Sequence, residues 1–233
     1  IQIYHLKEQV DRVHIPVVHV SSQVLEPVLR NLKTSLRKIQ KEINEKKQSR
    51  SFSLPRVKIR LHTGVVRSEI RVRNVLAYLP GSDPILKDEI VIVSSHFDHM
   101  GVQSGKIFNG ADDDASGTVG LLEIAEAYSL QSEKPKRSIL FAAWNAEELG
   151  LLGSRHYLEK PPLPLDQIVA MLQMDMIGRN EEITNSDNPR FQGLEEQRAE
   201  DNHNSLNILG YSRSEDLRQL VSSTNQQIGL DLK

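Results

Sequence analysis

Two stretches are apolar almost without interruption, Ile90–Ser94 (IVIVS) and Ser138–Trp144 (SILFAAW). Runs of that length with no polar alternation fit strands covered on both faces. Ile168–Met174 reads as a further strand. Between and after these runs the period lengthens to that of a helix. Thr118–Tyr128 is one predicted helix, another follows SILFAAW through Tyr157, and a last one covers Ser214–Ile228. Strands alternating with helices predict an α/β sandwich with a largely parallel or mixed sheet.

The N-terminal part has a different texture. Residues 15–20 (IPVVHV) read as a short strand. Val28, Leu29, Leu32, Leu36, Ile39 and Ile43 then recur at three- and four-residue spacing, which predicts one amphipathic helix over Ser22–Lys47. Its basic outer face is read as a solvated surface. The polar break Gln48–Pro55 marks a boundary, giving expected segments 1–50 and 51–233. Val57–His62 and Ser68–Leu79 alternate as strands do, the second ending in the turn Pro80–Pro84. From Arg179 to Asn204 the chain is polar and loop-rich. The chain opens on Ile1 rather than Met, so a removed leader or a preceding domain is expected.

Composition narrows the chemistry. With 29 basic and 31 acidic residues the net charge is -2, and no single-sign field points to nucleic acid or an anionic membrane surface. No apolar run reaches the 18 or so residues of a membrane span. There is no cysteine, which removes thiolate nucleophiles, disulfides and Cys-type metal sites. Any bound metal must be held by His, Asp and Glu.

Those residues gather at strand ends. Ser95-His96-Phe97-Asp98-His99 follows IVIVS directly. His96 and Asp98, two apart, share a strand face, and a carboxylate beside a ligating imidazole fixes its tautomer. Asn109–Gly117 (NGADDDASG) opens a helix. One aspartate there would serve as a cap, whereas three in a row repel one another and invite a cation. The spacing of a calcium EF-hand loop is absent. Asn145-Ala146-Glu147-Glu148 follows SILFAAW, and its adjacent carboxylates diverge, so that one can bind metal while the other faces water. Asp175 closes IVAMLQMD. Each cluster alone has an ordinary structural explanation. Four of them at successive strand ends, the edge where open α/β sheets bind ligands, point to a hydrolytic metal site.

Read together, HFDHMG, NGADDDASG, NAEELGLLGS and MDMIGR resemble the co-catalytic zinc exopeptidases, the family of bacterial leucyl aminopeptidases, aminopeptidase Y and glutamate carboxypeptidase, over about Arg73–Arg179. The resemblance implies a three-layer α/β/α sandwich around a mixed, largely parallel sheet. It implies two zinc ions per complete site. His96 and Asp175 would hold the first zinc, Glu148 the second, and Asp113 would bridge both. Asp98 would orient His96, and Glu147 would be the general base acting on a metal-bridging water. A cis peptide is implied at Asp113–Asp114.

The substrate implied is a peptide, cleaved as an aminopeptidase-type exopeptidase would; oligomeric state is not legible. The family's setting implies a secreted, periplasmic or cell-envelope protein. IPVVHVSS is similar to the tail of a protease-associated domain. The family's second zinc also takes a later histidine, and after Asp175 the chain offers only His203, which matches no family motif. A chain incomplete at its C-terminus is therefore expected. Two alternatives on the same fold are a glutaminyl-cyclase-like transferase and a non-catalytic, transferrin-receptor-like binding relative. The intact Glu147–Glu148 pair and the His96/Asp98 spacing favour the peptidase.

Overall fold

The computed structural model describes residues 20–54, 57–58, 60, 66, 68–180, 196, 198–210 and 214–232. The described residues divide into two compact units, one before Val72 and one from Val72 onward. The strands expected at 15–20 and 57–62 fall largely or wholly outside the described residues. Among the described residues no helix is long and apolar enough to cross a membrane.

In the smaller unit the single expected helix is two, α1 (Ser22–Asn31) and α2 (Leu36–Lys46). The break is local chemistry. Lys33 turns to positive φ (52°), and the Ser35 hydroxyl accepts the Lys38 N–H at 3.2 Å, capping a new helix. Apolar spacing runs through such a break because the two amphipathic faces stay in phase.

The larger unit is built on a four-stranded sheet of β1 (Val75–Leu79), β2 (Ile90–His96), β5 (Ser138–Trp144) and β6 (Ile168–Gln173), in the order β1-β5-β2-β6. β5, β2 and β6 run parallel, while β1 pairs antiparallel to β5. Alternation along β5 splits the core between the two faces. Leu140, Ala142 and Trp144 join Ile90, Ile92 and Tyr157 of α4 (Leu152–Glu159), with the Trp144 and Tyr157 rings edge-on at 5.3 Å. Ile139 and Phe141 join Val93 and Leu121 of α3 (Ala115–Leu130) on the opposite face. Helices thus cover both sides, giving the expected three layers.

β1 is shorter than the predicted strand, which began at Ser68. Val75 pairs with Ala143, and there the ladder stops. Asn74 turns its side chain to the work instead: its Oδ1 accepts the Asn145 N–H at 3.1 Å and its Nδ2 donates to Gly153 O at 2.9 Å. An amide side chain bridging two backbones ends a strand because it replaces the ladder bonds. The sequence pattern also gave no sign of the small hairpin β3 (Gly101–Gln103) and β4 (Lys106–Phe108). After the sheet come α5 (Glu215–Ile228) and a two-stranded parallel ladder of β7 (Ser205–Leu206) and β8 (Asp231–Leu232).

Parallel pairing of β2, β5 and β6 has one decisive consequence. His96 pairs with Trp144, and Ser94 with Gln173, so all three carboxyl ends stop at the same edge. The polar residues that follow each strand are delivered to one place.

Candidate metal centre

His96 ends β2 and is 1% exposed. Its N–H donates to Asp114 Oδ2 at 3.0 Å, and its carbonyl accepts the Thr118 hydroxyl at 2.8 Å. Its ring Nδ1 lies 3.1 Å from the Asp98 carbonyl oxygen and 3.7 Å from the Asp98 carboxylate. The backbone of Asp98, more than its carboxylate, therefore orients the ring. An Nδ1–H donated to that carbonyl leaves Nε2 with a free lone pair, the state a metal ligand needs. Asp98's carboxylate is used elsewhere, accepting the Glu147 N–H at 3.0 Å and the Glu148 N–H at 3.3 Å.

Around His96 Nε2 stand Asp113 Oδ1 at 3.1 Å, Asp175 Oδ2 at 3.7 Å, Glu147 Oε2 at 3.9 Å and Asp114 Oδ2 at 4.0 Å. Asp114 meets the distance requirement for a ligand, but its chemistry argues otherwise. It is 1% exposed, and its two oxygens accept the N–H groups of His96, Gly117 and Met176. It caps α3 and ties β2 to the loop after β6. The peptide between Asp113 and Asp114 is cis.

A second group brings Glu148 back to His99 and Asp113. Glu148 Oε1 lies 2.6 Å from His99 Nδ1, and the same nitrogen is 3.9 Å from Asp113 Oδ1. These three residues also satisfy the distances for a shared cation. One oxygen, Asp113 Oδ1, thus stands between two imidazoles. Glu147 and Glu148 diverge, the first toward His96 and the second toward His99. Ala146 before this pair and Met176 after Asp175 take left-handed backbone, with φ of 57° and 54°. Each costs about 1 kcal/mol, a strain tolerated where surrounding contacts over-determine the chain. Beside the second group lies a cavity of about 550 Å³, lined in part by Asp98, His99, Met100, Asn145, Glu148 and Leu149.

The charges are crowded. Burial would lower the His96 pKa, but Asp114, Asp175 and Glu147 overcome it and hold the ring above its ordinary range. Burial raises the Glu147 carboxyl, opposed by His96 and reinforced by Glu148 and Asp175. Asp175 is raised for the same first reason. Carboxylates packed this closely repel one another, and a cation relieves that repulsion.

The donor set fits a metal on a further ground. His99 Nδ1 and Glu148 Oε1 are buried, and neither makes a hydrogen bond among the described residues. They converge on common space without the geometry of a donor and acceptor. Imidazoles and carboxylates are the ligands zinc takes in the absence of cysteine.

Each residue read from the sequence as a metal or catalytic candidate sits in or beside this centre: His96, Asp98, Asp113, Glu147, Glu148 and Asp175. His203 belongs to neither ligand group among the described residues. His99 was read only as lining the entrance or as structural. Its spacing from His96 gave no signal, because the strand period lapses once β2 ends.

Helices cover both faces of an α/β sheet whose carboxyl edge carries an imidazole-and-carboxylate cluster that could hold a metal ion. Residues 74–226, about two thirds of the chain, match the sequence profile of peptidase family M28, and the chain belongs to that family. It is 38% identical over 106 residues to leupeptin-inactivating enzyme 1 of Streptomyces exfoliatus, covering 45% of this chain and 22% of that protein. It is 37% identical over 123 residues to a glutamate carboxypeptidase 2 homolog of Caenorhabditis elegans, covering 49% and 15%. It is 35% identical over 127 residues to an aminopeptidase of Pseudomonas aeruginosa (strain UCBPP-PA14), covering 53% and 22%. The chain therefore spans about a fifth of these relatives' length or less. Among solved structures, an aminopeptidase from Aneurinibacillus sp. strain AM-1 matches with a TM-score of 0.40 and 33% identity, over 47% of this chain and 25% of that one.

Proposed function

We propose that this chain carries the metal centre of a zinc-dependent exopeptidase of aminopeptidase type. The observation that carries the proposal is Asp113 Oδ1, set between the two imidazoles, with a different carboxylate on each side. His96 and Asp175 would hold one zinc, Glu148 the other, and Asp113 both. Bound there, the two cations would lower the pKa of water between them and polarise the scissile carbonyl.

The remaining work falls to the protein. Glu147 accepts a proton from the attacking water and passes it to the leaving amine nitrogen, a role suited to a carboxyl whose pKa burial has raised. Asp98 fixes that carboxylate by gripping the backbone N–H groups of Glu147 and its neighbour. The Asp114 clamp keeps β2 and the Asp175 loop in register. The adjoining cavity offers room for substrate beside the reacting bond. The same reading places the protein outside the cytoplasm and takes residues 1–50 as the remains of a protease-associated-like domain; both rest on resemblance.

The test is hydrolysis of unblocked dipeptides and their N-acetylated forms by zinc-loaded protein, with chelator and readdition. Zinc-restored cleavage of the unblocked peptides alone is expected. Cleavage insensitive to chelator would sink the proposal.

A further inference from the structure

Resting on that reading of Glu147 and Glu148, we propose that Asn74 is a positioning residue for the pair, acting through the backbone of the turn that carries them. The turn runs from Asn145, the first residue after β5, to Gly153 at the start of α4. Asn74 holds both of its ends. Its Oδ1 accepts the Asn145 N–H at 3.1 Å, and its Nδ2 donates to the Gly153 carbonyl at 2.9 Å. One side chain thus ties the exit of a core strand to the entry of the following helix, from 71 and 79 positions away. Asp98 grips the same turn at its middle, through the N–H groups of Glu147 and Glu148.

The turn needs such holding. Ala146 and Leu151, neither of them glycine, take left-handed backbone with φ of 57° and 61°, a conformation that persists only where surrounding contacts impose it. Local bonds close the turn on itself. The Gly150 and Leu151 N–H groups donate to Glu147 O at 2.8 Å, and the Leu152 N–H donates to Ala146 O at 3.0 Å. Those bonds fix the shape of the turn, whereas its place against the neighbouring strands depends on Asn74 and Asp98. The fit at the helix end is close, since a Cβ at residue 153 would run into Asn145 O, Asn145 N and Asn74 Oδ1. Ending β1 would take only the bond to Asn145; the second bond reaches past the strand to α4. A shift of the turn moves both carboxylates at once, and a misplacement of ~1 Å can cost about 100-fold in rate.

The experiment compares Asn74→Ala, which removes both bonds without adding bulk, with the unchanged protein by two readouts. In zinc-free protein the Glu147 and Glu148 amide resonances belong to groups bonded to Asp98 rather than to Asn74. They should move upfield in the variant as those bonds lengthen. Movement confined to Asn145 and Gly153 would overturn the proposal, leaving Asn74 as a strand terminator. In zinc-loaded protein, kcat for an unblocked dipeptide should fall about 10- to 100-fold with KM unchanged. An unaltered kcat, or a loss carried by KM alone, would overturn the proposal as well. Zinc-restored cleavage missing from the unchanged protein would instead overturn the exopeptidase reading, and the amide resonances would still decide whether Asn74 sets the turn. Should Asn74→Ala not fold, Asn74→Asp keeps the acceptor for the Asn145 N–H and loses the donor to Gly153. Its Glu147 and Glu148 amides should shift in the same sense by less, and unmoved resonances would overturn the proposal.

Discussion

His96 and His99 are three residues apart and are held by opposite means. His96 is the last residue of a central strand, 1% exposed, with its backbone bonded to Asp114 and Thr118 and its ring to Asp98. Its position is a consequence of the sheet. His99 lies past the end of that strand, its side chain 17% exposed, placed by a glycine on one side and a phenylalanine ring on another. Its position is a consequence of loop packing. The carboxylates follow suit. Asp113 belongs to both halves, while Glu147 and Glu148, neighbours in sequence, are divided between them. One half of the centre is fastened to the core, and the other is fastened to its neighbours.

That contrast can be sharpened by experiment. Glu147→Gln should lower turnover by about 10³-fold, within the range usual for a general base, and leave both zinc equivalents in place. Loss of metal together with turnover would make Glu147 a ligand instead. Asp98→Ala touches both halves, since Asp98 anchors the backbone of Glu147 and Glu148. Zinc affinity, read by competition with a chromophoric chelator, should fall about 10- to 100-fold. Gly110→Ala presses on both the His99 side chain and the Asp113 carbonyl. The strained backbone costs about 1–2 kcal/mol, and because Asp113 stands between both imidazoles, zinc binding should weaken about 5- to 30-fold. Zinc binding at unchanged affinity would show that this close approach does not position Asp113.

The smallest effect concerns the metal-free protein. His96 is held above 6.5, and Glu147 and Asp175 above 4.5 and 3.8. All three bind protons more readily folded than unfolded. The His96 contribution is complete below pH 6.5 and is lost as pH rises through the folded value. The carboxyl contributions act in the same direction at lower pH, since each carboxylate carries its desolvation cost once ionised. Metal-free protein should therefore melt a few degrees lower at about pH 8 than at about pH 6, with zinc removing the difference. A melting point that rises over that interval would contradict the charge assignment.

What could be read from the sequence follows the same divide. IVIVS and SILFAAW are legible because a strand buried on both faces must be apolar at every position, and His96, Glu147, Glu148 and Asp175 inherit their places from strand ends. The β1 start was misplaced because Ser68–Asn74 continues an alternating pattern that Asn74 interrupts with its side chain. The Ser22–Lys47 helix was drawn too long because apolar spacing does not register a serine cap. His99 was read only as lining the entrance or as structural, because its place beside Glu148 depends on Gly110, eleven positions on, and on a hairpin with no periodic signature.

The most direct test of the account is the zinc content of Asp113→Ala beside the unchanged protein after equilibrium dialysis, with circular dichroism to show that both are folded. Because one Asp113 oxygen serves both halves, the account predicts that two equivalents fall to none under conditions that saturate the unchanged protein. Two equivalents retained at unchanged affinity would contradict it.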